Sequence, residues 1–398
     1  MAGKDEKPDI RFNEFIGAWE QRKLGEIYTE RNERGDDSLQ ILSVSIHHGI
    51  SNEELDSNSL GKKVRRSEDK SLYKHVYFGD LVLNMMRAWQ GAVGVVKSEG
   101  MVSPAYITAI PSAELYPLFM DYCLRRDESI IQMNNLSYGV TDFRKRLYWD
   151  SFINVSCHIP SVLEQERITV FFARLDKLIT LHQRKYDKLV IIKKSMLEKM
   201  FPKDGSNIPE IRFSGFTDVW EQCRLGEYFD ERTQRSSEGE LISVTMNSGV
   251  VKASDLGRYN NSSNDKSNYK RVEVGDIAYN SMRMWQGASG YSPYSGILSP
   301  AYTVVIPREG VYSLFFAYMF KKPEMKHKFT INSQGLTSDT WNLKFPLFST
   351  IEIKAPGYDE QIKIAKFFEN LENLITLHRL KLEKLINIKK AMLEKMFV

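Results

Sequence analysis

Two stretches of this chain repeat apolar residues in alternating steps of four and three. The first series is Ile168, Phe172, Leu175, Ile179, His182, Tyr186, Leu189, Lys193, Met196 and Met200. The second is Ile364, Phe368, Leu371, Ile375, His378, Leu382, Leu385, Lys389, Met392 and Met396. Each is a heptad seam sustained over about five heptads, with lysines and glutamates outside it, so each stretch is predicted to be a long helix. About 38 residues at ~1.5 Å per residue give roughly 57 Å. A helix with such a stripe needs a partner, and the only one of matching length in the chain is the other copy. An intramolecular antiparallel coiled coil is the economical expectation, with two helices packed separately on their own domains as the alternative. His182 and His378 interrupt the seams at equivalent places. A polar residue there more often sets register than does chemistry, and two ligands are too few for a zinc site.

Away from these stretches the pattern is shorter in period. Residues 81–86 read as a strand after Gly79-Asp80. Residues 91–97 and 101–111 read as a hairpin around Ser98-Glu99-Gly100. Residues 115–126 carry Leu118, Phe119, Tyr122 and Leu124 at helical spacing, and 152–159 read as a last strand punctuated by Pro160. The expected class is α+β, with mixed α and β domains joined by long helices.

The chain repeats itself. PDIRFNEFIGAWEQRKLGEIYTERNER at 8–34 returns as PEIRFSGFTDVWEQCRLGEYFDERTQR at 209–235, and YKHVYFGDLVLNMMRAWQGAVG at 73–94 returns as YKRVEVGDIAYNSMRMWQGASG at 269–290. SPAYITAIP at 103–111 returns at 299–307, and each copy ends in a seam helix closing on MLEKMF. The expected organisation is a domain at 1–160, a helix at 161–203, a second domain at 204–356 and a second helix at 357–398.

Composition adds limits. The 398 residues are 42% hydrophobic, enough for two domains with their own cores. The opening residues are charged where a signal peptide would be apolar, and no apolar run approaches a membrane span, so a cytoplasmic location is expected. Cys123, Cys157 and Cys223 lie opposite Met319, Ile353 and Arg22 in the other copy, which argues against a repeated disulfide or zinc framework. Net charge is only +4. Any nucleic-acid surface must therefore be local.

Catalytic motifs are missing. There is no phosphate loop, Gly61-Lys62-Lys63 being the nearest fragment, no Gly-x-Gly-x-x-Gly before a helix, and no Asn/Asp-Pro-Pro-aromatic stretch for a flipped base. The histidines offer no metal spacing, and His47-His48 faces Asn247-Ser248 in the other copy. Three readings stand at this point: a non-catalytic DNA reader, an enzyme with unfamiliar motifs, and a two-headed protein adaptor.

The order of the parts favours the first, and the other two remain to be separated by testing the purified chain for methyl transfer and the assembled complex for salt-sensitive, sequence-selective DNA binding. W-E-x-x-x-L-G-E opens each domain, G-D and R-x-W-Q-G lie in its middle, and Q-x-x-I-x-x-F-F-x-x-L opens each helix. The chain thereby resembles the specificity subunit of type I restriction-modification enzymes over nearly its whole length. The resemblance implies a protein without catalysis or cofactor of its own, serving phage defence. Each domain would be a target-recognition domain reading one half of a split double-stranded DNA sequence. The helices would set the spacer and dock two methyltransferase subunits. Adenine methylation with S-adenosylmethionine, and cleavage with ATP and Mg by restriction subunits, would belong to partners.

Candidate DNA contacts follow from residue chemistry. Arg, Asn and Gln can make paired hydrogen bonds to guanine or adenine. Asn84, Arg87, Trp89 and Gln90, repeated as Asn280, Arg283, Trp285 and Gln286, supply these types in one segment. Being shared, they suit scaffold or phosphate positioning better than discrimination. Discrimination is expected where the copies diverge. One such region is the longer 51–72 segment, with Lys62, Lys63, Arg65 and Arg66, against a counterpart carrying Asn260 and Asn261. Another is 138–146, with Thr141, Arg144, Lys145 and Arg146, against 334–342 with Thr337 and Asn342. The bland alternatives are a solvated basic face for the first and a plain turn for the second.

Overall fold

The computed structural model describes residues 7–46, 49–51, 71–141, 144–203, 205–257, 262–263 and 265–398. It divides into two units, Met1–His182 with Lys381–Val398, and Gln183–Leu380. Each contains a globular domain and one end of each long helix.

In the first unit β1 (Glu20–Lys23) and α1 (Leu24–Ile27) lead into β2 (Tyr28–Glu30). Then come β3 (Ser43–Ser45), β4 (Gly49–Ser51), β5 (Lys74–Val76), β6 (Leu81–Asn84), β7 (Val93–Val95), β8 (Gly100–Val102) and β9 (Tyr106–Pro111). The helices α2 (Phe119–Cys123), α3 (Asp127–Leu136) and α4 (Trp149–Phe152) precede β10 (Ser156–Ile159) and the long α5 (Val162–Lys199). The main sheet is antiparallel in the order β2-β9-β6-β7, accompanied by the pairs β1–β10, β3–β4 and β5–β8.

Strand β6 shows why the sheet sits where it does. Its side chains alternate between faces. Leu81 and Leu83 enter the larger core with Trp19, Phe119, Phe152 and Phe172, whereas Val82 enters a smaller core with Leu42, Val76 and Val102. The sheet is therefore covered by helices on one face and by the short strand pairs on the other.

The second unit repeats this plan. β11 (Glu221–Arg224), α6 (Leu225–Tyr228) and β12 (Phe229–Glu231) are followed by β13 (Ile242–Thr245), β14 (Gly249–Lys252), β15 (Lys270–Val272), β16 (Ile277–Asn280) and β17 (Ser289–Tyr291). Next are β18 (Gly296–Leu298), β19 (Tyr302–Pro307), α7 (Ser313–Met319), α8 (Pro323–Ile331), α9 (Phe345–Ser349), β20 (Glu352–Ala355) and α10 (Tyr358–Lys395). Its main sheet, β12-β19-β16-β17, has the same order, and Ile277 and Tyr279 again face the opposite core from Ala278.

The two long helices are each 38 residues and pack together. Within the first unit Ile168, Phe172 and Leu175 share a core with Met396 and Phe397, and Lys389 binds Asp176. Within the second, Ile364 and Phe368 share a core with Met200 and Phe201, and Lys193 binds Glu372. The helix ends thus run antiparallel, and the helix from one copy of the repeat closes the core of the other copy's domain. Phe397 stacks on Phe119 with centroids 5.3 Å apart, and Phe201 on Phe315 at the same distance. This gives the repeated MLEKMF a job: its Met-Phe pair is a plug. The seam positions Ile179, Leu189, Ile375 and Leu385, and the histidines His182 and His378, are half-buried between exposed flanks, with His182 in the first unit and His378 in the second.

Three local expectations change. Residues 91–97 and 101–111 do not pair with each other. β7 pairs with β6, β9 lies on the other side of β6, and β8 pairs with β5. The reversal comes earlier, where Gly91 adopts φ +92° after a short 3-10 turn, so the Ser98-Glu99-Gly100 turn carries the chain to another sheet. The helix expected at 115–126 is confined to α2, and a second helix, α3, starts directly after Arg126. Residues 152–159 begin as the end of α4 and become a strand only at Ser156, where pairing with β1 starts.

Candidate nucleic-acid interface

Asn84 ends β6, and its side chain immediately folds the chain back: Oδ1 accepts from the Met86 amide at 3.0 Å, and Trp89 Nε1 donates to the Met86 carbonyl at 3.0 Å. Asn280 and Trp285 do the same to Met282, at 3.0 and 3.1 Å. The hydrogen-bonding groups used here belong to the scaffold. What the turn presents outward is Arg87 and Arg283, both exposed, with Gln90 exposed and Gln286 half-buried.

The divergent loop lies against this turn. Tyr138 and Arg146 exchange backbone hydrogen bonds of 3.1 and 3.0 Å, and Gln334 and Asn342 do so at 3.0 and 2.8 Å, closing each loop at its base. The next amide binds the end of the central strand segment, Leu147 to the Met85 carbonyl at 2.9 Å and Leu343 to that of Ser281 at 2.8 Å. Glycine is required at the base. A Cβ on Gly139 would sit 2.4 Å from the Arg144 carbonyl oxygen, and one on Gly335 2.6 Å from that of Thr340. The return arm then packs on the turn's tryptophan. Lys145 Nζ lies 5.5 Å from the Trp89 ring centre, and at the equivalent position Trp341 meets Trp285 edge-on at 5.3 Å.

Turn and loop therefore form one surface in each unit, bringing Asn84, Arg87, Trp89 and Gln90 together with Lys145 and Arg146, and Asn280, Arg283, Trp285 and Gln286 together with Asn342. Thr141 and Arg144 are exposed on the loop. The Thr337 amide donates to Thr340 Oγ1 at 3.1 Å, so part of the expected phosphate-holding capacity is used inside the loop. Lys62, Lys63, Arg65, Arg66, Asn260 and Asn261 lie outside the described residues. Among the described residues no group of three or more His, Cys, Asp or Glu could hold a metal ion, and no helix is long and apolar enough to cross a membrane.

The sequence reading missed a second repeated feature. Tyr122 donates to Asp176, and Tyr318 to Glu372, each at 2.9 Å, and a seam lysine meets the same carboxylate. Burial first, then the neighbouring carboxylate, pushes both tyrosines well above the ordinary range. The available signal was that Lys193 and Lys389 are the charged residues inside otherwise apolar seams.

Each unit thus presents a turn-and-loop surface with an exposed arginine beside a tryptophan, built on the same sheet order. Residues 217–387 match the family described as type I restriction modification DNA specificity domain. In fold, the chain is similar to the S subunit of a type I restriction-modification system from M. genitalium, with 14% identity, a TM-score of 0.57, and coverage of 98% of this chain and 99% of that one. An HsdS subunit from Thermoanaerobacter tengcongensis shares 17% identity over 95% of this chain and 96% of that one, with a TM-score of 0.45.

Proposed function

We propose that this chain is the non-catalytic DNA-reading subunit of a type I restriction-modification complex and that each unit reads one half of a bipartite target. The observation that carries this is the doubled surface. The same turn and loop are built twice on the same sheet order, while the side chains differ at equivalent positions: Arg144 against Thr340, Lys145 against Trp341, and Arg146 against Asn342. Shared Arg87 and Arg283 suit phosphate contact, and the divergent loop suits base readout.

Two half-sites read in this way would be separated by an unread spacer, with centres about one helical turn (~10 base pairs) apart if both are read from the same side of the duplex. Leu178, Leu181 and Val190 are exposed on α5, and their counterparts Leu374, Leu377 and Ile386 are exposed on α10. Repeated exposed apolar groups suit two like partners, which we assign as two methyltransferase subunits. S-adenosylmethionine, ATP and Mg would then be held by methyltransferase and restriction subunits rather than by this chain.

The test is methylome sequencing of a host expressing this subunit with its methyltransferase, before and after residues 1–160 are exchanged for another recognition domain. One half of the methylated motif should change and the other should persist. Simultaneous change of both halves would refute independent reading.

A further inference from the structure

Each interface loop carries a bulky aliphatic residue that the described residues leave uncovered. Leu336 is 100% exposed, and Val140, its equivalent under the repeat, is 90% exposed. These are the two highest exposures among the exposed large hydrophobics of the described residues. Leaving a leucine in water forgoes roughly 2 kcal/mol of burial. Both copies nevertheless place an aliphatic group there.

The loop around Leu336 is held without help from that side chain. Gly335 adopts φ +150° and has no room for a Cβ. The Thr340 and Trp341 amides both donate to the Thr337 carbonyl, at 2.9 and 3.1 Å, and Thr340 Oγ1 donates to the same oxygen at 2.9 Å. Below it, Trp341 is braced on Trp285, whose turn presents exposed Arg283 and the 43% exposed Met282. The result is an apolar tip on a hydrogen-bonded loop, part of the same turn-and-loop surface as exposed Arg283.

We propose that Leu336, and Val140 in the other unit, are wedges that enter the base stack of the duplex and open one step in each half-site. The inference rests on reading this surface as the DNA interface. A duplex is the occupant that matches exposed Arg283 on the same turn-and-loop surface, because its phosphates pair with a guanidinium. The apolar area it offers to a projecting leucine lies chiefly between base pairs. Proteins that insert leucine, isoleucine or phenylalanine in this way unstack the step and bend the duplex, gaining contact area in exchange. A side chain already projecting from a braced loop loses little freedom on insertion.

The experiment uses the assembled complex with its methyltransferase and duplexes carrying the motif found by methylome sequencing, with 2-aminopurine placed in turn at positions of each half-site. Wild-type complex should raise the fluorescence at one step per half. Leu336→Ala should abolish the rise in the half read by the second unit and weaken binding by about tenfold, while Val140→Ala should act on the other half. Leu336→Phe should restore the signal. Unchanged fluorescence and affinity in Leu336→Ala, with sequence-selective binding intact, would overturn the wedge and leave the DNA-reading assignment standing. Loss of affinity without a fluorescence change, reproduced in wild type by replacing thymine with uracil, would instead show contact with a thymine methyl group and also overturn it. If wild-type complex shows no selective, salt-sensitive binding, the DNA reading itself falls and the wedge with it.

Discussion

The Tyr318 hydroxyl donates to Glu372 Oε2 at 2.9 Å, tying α7 of the second domain to α10, and Lys193 of α5 meets the other oxygen of the same carboxylate. Tyr122, Asp176 and Lys389 repeat the arrangement in the first unit. One carboxylate thus joins a domain to both helices. Tyr318→Phe removes one hydrogen bond to a charged acceptor and should cost about 1.5–3 kcal/mol in chemical denaturation. The double variant with Lys193→Met should cost less than the sum of the singles, since both act on Glu372. Strict additivity would show that the three groups do not act as a unit.

Arg212 grips Glu360 through two hydrogen bonds of 2.7 Å, and the Glu360 side chain is 2% exposed. The guanidinium is raised above its ordinary value, chiefly by that hydrogen bond. Arg212→Met leaves a buried carboxylate without its partner and should cost about 3–5 kcal/mol, whereas Arg212→Met with Glu360→Leu should recover much of the loss. Urea titration of the three variants decides this. Arg11 and Glu164 hold the same geometry at the same distances, so the equivalent changes should act alike in the first unit.

Lys321 is the half-buried counterpart of Arg125 and donates to the Gly287 and Ser289 carbonyls at 2.8 and 2.7 Å. Burial lowers its ammonium to about 8. In the unfolded chain it titrates near ~10.4. Between these values the unfolded chain holds the proton and the folded chain has released it, so this group's contribution becomes more favourable as pH rises from about 8 to ~10.4 and is least favourable below 8. Lys321→Arg stays charged throughout. The Tm of wild type minus that of the variant should therefore increase between pH 8 and 10. A flat difference would mean that Lys321 keeps its proton.

Gly335→Ala should spare the domain and damage the interface. The added Cβ would lie 2.6 Å from the Thr340 carbonyl, so the loop must open while the cores beneath it stay intact. The midpoint of the main unfolding transition should move by no more than ~1 °C, whereas binding of the assembled complex to its target should weaken by tenfold or more. Gly139→Ala should have the same effect on the half-site read by the first unit. A large loss of global stability without loss of binding would contradict this division.

Much of the molecule was legible in the chain because repetition and period are local properties. The steps of four and three placed both helices, since a seam of that spacing has one stable use, burial against another helix. The duplication announced two like domains before any strand was assigned. Asn84, Trp89 and their counterparts were visible as a repeated segment, although not that their hydrogen bonds would be spent inside the turn. Tertiary structure decided the rest. Strand partners depend on where the chain reverses, and a left-handed Gly91, rather than the more conspicuous Ser98-Glu99-Gly100 turn, set the order of the sheet. The plug of Phe397 beneath Trp19 and of Phe201 beneath Trp220, and the clasp of Tyr318 on Glu372, join residues far apart in sequence. Only the packed chain brings them together, because each depends on which helix end enters which core, a choice made by the summed burial of both units rather than by any local pattern.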